Sequence, residues 1–133
     1  MFKDFNISKF KKMKPPGNNT FDTMQEVKEL QKIPINKKFV KDNDNIEQVF
    51  KKIAKDKNIK DYDSSIASKL IKSSAPVILE LKKYFDRPRP KASAKSMNLK
   101  MKDMEMASMK TPSYPSGHST QGVLIAKVLS DKY

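Results

Sequence analysis

The sequence predicts an all-α protein. Apolar residues recur at helical spacing in several windows, polar capping residues stand just ahead of them, and no stretch alternates apolar and polar residues over strand length. The 133 residues fit one domain and suffice to bury about two-thirds of the unfolded surface.

The elements follow in order. Residues 1–19 read as a basic, poorly periodic arm that ends in the turn sequence Lys14-Pro15-Pro16-Gly17-Asn18-Asn19, with the helical domain over 20–133. Thr23 and Glu26 match a capping box, with Asp22 as an alternative cap. They predict a helix over 23–33 with Met24, Val27 and Leu30 near one face and Pro34 beyond its end. Residues 35–43 read as a polar connector. From Asp44 onward, Ile46, Val49, Phe50, Ile53 and Ala54 form an amphipathic stripe. Ser64 or Ser65 caps a third helix with Ile66, Leu70 and Ile71 inward, and Asp61 and Asp63 read as capping residues. Pro76 either kinks that helix or opens a new one, which ends at Asp86-Arg87-Pro88. Tyr84 and Phe85 read as core. Residues 91–112 show no periodicity and hold five of the eight Met, read as loop filler. The last helix runs from about Ser116 to Ser130.

Composition narrows the chemistry. With 28 basic and 15 acidic residues the net charge is +13, which attracts anions. Cys is absent, which excludes disulfides, thiolate metal sites and a cysteine nucleophile. A single His excludes a His-rich metal centre. No apolar run reaches the length of a membrane span, and the N-terminus has no continuous apolar leader. The expected location is cytoplasmic if Met1 is native, and periplasmic or secreted if a leader has been removed.

The cations are unevenly typed. Lys supplies 26 of them, and the two Arg, Arg87 and Arg89, share the tetrapeptide Arg87-Pro88-Arg89-Pro90. Arg offers a planar fork that grips phosphate with parallel hydrogen bonds, which Lys cannot do. Lys82 stands at the end of a helix and Arg89 past it, so one anion can be reached by both. Arg87 reads as a surface residue paired with Asp86. A second segment, Tyr114-Pro115-Ser116-Gly117-His118-Ser119-Thr120, feeds the last helix. Free amides at a helix N-terminus favour an anion, Gly lets the backbone approach it, and His118 can carry a proton near neutral pH.

Lys82-x6-Arg89-Pro90 followed by Pro115-Ser116-Gly117-His118, with 24 residues between Pro90 and Pro115, resembles the superfamily of type 2 phosphatidic acid phosphatases, bacterial class A acid phosphatases and vanadium haloperoxidases. The form Ser113-Tyr114-Pro115-Ser116-Gly117-His118-Ser119 is most similar to the soluble acid phosphatase branch. The resemblance covers mainly residues 76–133. It implies a helical bundle of the acid phosphatase and haloperoxidase type, with phosphate held by Lys82, Arg89, Ser116 and Gly117 and with His118 as the acid that protonates the leaving alcohol. The implied substrate is a small phosphomonoester or inorganic phosphate. It implies no metal and no cofactor, although vanadate fits the same pocket.

The family's third motif, Ser-Arg-x5-His-x3-Asp, is not found. Only 15 residues follow His118, and no second His exists to act as nucleophile. The chain is therefore expected to be truncated at its C-terminus, to be completed by a missing segment or a second chain, and to be inactive alone. The alternative is a non-catalytic basic binder of phosphate-bearing or nucleic-acid partners. Nucleic acid is the less favoured partner, because the basic stretches carry no interleaved aromatics and no recognisable binding motif.

Overall fold

A computed structural model describes residues 5–104 and 106–133. The first four residues of the expected N-terminal arm lie outside the described residues. Among the described residues the structure is all-α, with no strand: α1 (Ile7–Lys11), α2 (Phe21–Gln31), α3 (Lys37–Asn43), α4 (Ile46–Asp56), α5 (Ser65–Phe85), α6 (Pro90–Ser96), a 3-10 turn at Ala107–Met109, and α7 (Gly117–Lys132). No described helix is long and apolar enough to cross a membrane.

Four sequence expectations about the helices and their caps are corrected first. The 1–19 segment contains a helix, α1, and the 35–43 connector contains α3. The 91–112 segment is not all loop, since α6 starts at Pro90 and a 3-10 turn follows. These three helices run five to seven residues, too short to display a hydrophobic period. The fourth correction concerns α2, whose cap is Thr20 and not Thr23. Its Oγ1 accepts the Thr23 amide at 3.3 Å. Asn45 caps α4 in the same way, accepting from Gln48 N at 3.1 Å.

Contacts divide the chain into two compact units. The first holds Lys37–Ile78 and Ser116–Tyr133. Its core is Ala67, Leu70 and Ile125, surrounded by Ile46, Phe50, Ile66, Ile71, Leu124, Val128 and Leu129. Ile125 is fully buried, worth about 1.5–3 kcal/mol by transfer alone, while Val123 two residues before it is exposed. α5 continues through Pro76 without a break. Proline cannot donate an amide, which leaves Lys72 O without its helical donor, and side-chain donors add bonds to neighbouring carbonyls of the same turn. Ser73 Oγ donates to Leu70 O at 3.3 Å, and Ile71 O accepts from Ser74 Oγ at 3.2 Å and Gln121 Nε2 at 3.3 Å. Asp63 begins α5 as expected, its carboxylate accepting from Ser65 N at 2.9 Å. The Ser65 side chain, and then its amide, hold the Asp63 carboxyl below its ordinary range by hydrogen bonding.

The second unit holds Asn6–Asn36 and Leu79–Pro115. Here α2 packs on α6, burying Thr23, Val27, Ser93 and Ala94. Thr23 Oγ1 donates to Gly17 O at 2.7 Å and accepts from Arg87 Nη2 at 3.2 Å. Arg87 pairs with Glu26 at 2.7 Å, not with Asp86. Tyr84 is 53% exposed, contrary to the core reading. Phe85 is half-buried and meets the Tyr84 and Tyr114 rings edge-on, each at 5.0 Å.

α4 and α6 end in the same motif. Asn58 and Asn98 adopt left-handed backbone at φ 55° each. Beyond them, Ile59 N donates to Ala54 O at 2.9 Å and Leu99 N to Ala94 O at 2.8 Å. Asn tolerates this conformation better than other residues with a Cβ. Asn58→Ala is expected to lower unfolding stability by about 1 kcal/mol and Asn58→Gly to leave it unchanged or higher, read as the denaturant midpoint. Equal losses in both variants would place the effect in the Asn side chain and not in the backbone.

Candidate functional site

The five residues singled out in the sequence fall in both units. Lys82 and Arg89 belong to the second, and Ser116, Gly117 and His118 to the first.

Local sequence dictates the first group. α5 stops at Phe85, and Asp86 follows in left-handed backbone at φ 45°. Arg87 and Arg89 each precede a proline, which disfavours helical backbone, and Arg89 is extended at φ −64°, ψ 152°. The chain therefore leaves the helix as a short extended run before Pro90 opens α6. That run is laced to the end of the long loop. Ser113 N donates to Arg87 O at 2.9 Å, and Ser113 Oγ donates to Pro88 O at 2.9 Å.

Both cations of the first motif sit in this lacing. Lys82 is 5% exposed and its Nζ donates to Pro112 O. Arg89 Nε donates to Thr111 O at 2.8 Å, with Nη2 at 3.3 Å from Ser108 O and 3.4 Å from Thr111 Oγ1. Two cations thus share consecutive backbone carbonyls. Neither makes an ion pair among the described residues. Burial, and then the Arg89 charge, hold the Lys82 ammonium below its ordinary pKa.

The second group begins α7 as expected. Ser116 is its N-cap, the Oγ accepting from Ser119 N at 3.2 Å, and Ser116 O accepts from Thr120 N at 3.0 Å. The Gly117 and His118 amides in the first turn have no partner among the described residues. A Cβ at Gly117 would meet nothing within 4 Å, and its φ is not positive. The fold therefore does not require glycine there. The peptide bond Tyr114–Pro115, just upstream, is cis.

His118 has a partner that the sequence did not reveal. Its Nε2 lies 2.7 Å from Asp44 O and 3.1 Å from Asp44 Oδ1. Asp44 stands 74 residues earlier, so no local spacing pointed to it. With Nε2 turned to Asp44, Nδ1 is the ring nitrogen left to exchange a proton. Both side chains keep partial access to solvent, at 48% and 39%.

Among the described residues, no cluster of three or more His, Asp or Glu side chains has metal-binding geometry. No family model, curated protein or solved structure matches the chain.

Lys82 gives a pH-dependent prediction. Its folded pKa is depressed, so the unfolded chain holds the proton more tightly, and folding stability rises as pH climbs from the folded pKa toward 10.5. In phosphate-free buffer Lys82→Met should be at least as stable as wild type at pH 7, by about 1 kcal/mol or a few degrees in Tm. The advantage should shrink as pH approaches 10.5, read by thermal denaturation across pH. A large loss of stability at pH 7 would mean that the Lys82–Pro112 bond holds the fold.

Proposed function

We propose that the chain binds phosphate as part of an acid-phosphatase-like phosphomonoester hydrolase. Lys82, Arg89, Ser116 and Gly117 are its phosphate ligands and His118 its acid. The reading is supported by one observation above all: a buried lysine beside an arginine, both resting on backbone carbonyls, with no carboxylate paired to either among the described residues. Positive charge held out of water without an acid is a preorganised anion site.

The roles follow from chemistry. Lys82 and Arg89 neutralise phosphate oxygens, and Arg89 can give two parallel bonds. The Gly117 amide and Ser116 hydroxyl are, by the same resemblance, donors to phosphate oxygens at the α7 N-terminus, where such donors stabilise growing charge. His118 protonates the departing alcohol from Nδ1, with Asp44 fixing the ring through Nε2. A phospho-histidine route needs a second imidazole, and His118 is the one histidine of 133 residues. This chain therefore supplies binding and the acid, and the nucleophile must come from elsewhere. Vanadate, which mimics phosphate, is the expected competitor, and no cofactor is required.

Equilibrium titration with inorganic phosphate tests this. Lys82→Met and Gly117→Ala should each weaken binding about tenfold or more, while the Gly117 variant keeps its fold. Vanadate should displace phosphate, and an aryl phosphate should turn over at background rate. Unchanged affinity in both variants would overturn the site. Robust turnover lost in His118→Ala would overturn the missing nucleophile.

A further inference from the structure

We infer that the ligand of the Arg89 site is a small phosphomonoester carrying a second phosphate group, held in a cationic cavity that has Arg89 in its wall; this rests on the phosphate-binding reading of Lys82 and Arg89. The cavity lies within the second unit and has a volume of about 1090 Å³. That is at or above the upper end of ordinary ligand sites, roughly 300–1,000 Å³, and far more than one phosphate ion fills.

Its charge is not that of the surface at large. Five of its 12 lining residues are basic, against 28 of 133 in the whole chain, so the concentration is about twofold. Asp103 is the one acid lining it among the described residues, and it is already paired with Lys91 at 3.2 Å. Lys95, Lys100 and Lys110 are exposed and make no ion pair among the described residues. One phosphate at Arg89 would leave these three ammonium groups unneutralised. A second phosphate on the same molecule satisfies them, and clefts of one sign raise the local concentration of such an ion.

The apolar part of the wall suits the body of such a ligand. Leu99, Met101, Met106 and Met109 line the cavity and are half-buried. Thioether side chains are flexible and polarisable, and they adapt to ring or chain without dictating its shape. The methionines that read as loop filler therefore acquire a role beside the lysines interspersed with them.

Calorimetric titration of the full chain near physiological ionic strength tests the inference with three probes: inorganic phosphate, glucose 6-phosphate and fructose 1,6-bisphosphate. The bisphosphate should bind about tenfold tighter than the monophosphate, as one further charge-assisted contact allows. The triple variant Lys95→Gln, Lys100→Gln, Lys110→Gln should lose that advantage while its affinity for inorganic phosphate stays within about twofold. A control with the same net charge, Lys51→Gln, Lys55→Gln, Lys69→Gln, should keep it, since all three residues are exposed and lie outside the cavity. Equal affinities in wild type, or equal losses in both triple variants, would overturn the inference and leave phosphate binding standing. Absence of inorganic phosphate binding, or its indifference to Lys82→Met, would overturn the underlying site and the inference with it.

Discussion

A lysine ammonium that is 5% exposed must find oxygen inside the protein, and here the oxygen is a backbone carbonyl. The second unit is arranged around that need. Residues 108–112 turn carbonyls toward Lys82 and Arg89, and Ser113 ties the same loop back to the carbonyls of Arg87 and Pro88. The two Arg-Pro steps keep the opposing run extended, so its own carbonyls are free to accept. Arg87 then anchors the run to Glu26 and Thr23 of α2. A loop of more than ten residues is thus fastened at its end by groups that also define the first motif.

Carbonyl dipoles solvate a cation but do not neutralise it. Burial, and then repulsion from Arg89, hold the Lys82 ammonium below its ordinary pKa. Functional sites commonly hold groups in arrangements that stability alone would not favour. The α7 N-terminus shows a milder form of the same thing. Its first two amides are unpaired, and a glycine stands where alanine would fit and would favour the helix. In the first unit His118 is oriented by the carbonyl and carboxylate of Asp44, so one ring nitrogen is committed to the protein and one is left for chemistry.

Much of the fold was legible because its signals are local. Ser116 caps α7 at the place where the last helix was expected to begin, and the α4 stripe of Ile46, Val49, Phe50, Ile53 and Ala54 marks the helix they describe. The short helices α1, α3 and α6 were not legible, since fewer than two turns cannot display a period. Thr20 and Thr23 show how a cap is misplaced by one turn when two hydroxyls compete, because Thr23 is recruited by Gly17 and Arg87 from outside the helix. At the site, residue types and spacing selected Lys82, Arg89, Ser116, Gly117 and His118. The groups that meet them are mostly backbone carbonyls, which carry no residue-specific signal, or Asp44, far away in sequence. The cationic cavity was also hidden, because its lysines look like every other lysine in a chain that has 26.

The most direct test of the central claim, that Lys82 and Arg89 hold a phosphate, is a ¹H–¹⁵N titration of the chain with inorganic phosphate, following the Arg89 Nε–H. The account predicts that this signal moves with a saturable isotherm that is lost in Lys82→Met, and that vanadate reproduces the movement. Small unsaturable shifts spread over the lysine-rich surface would contradict it.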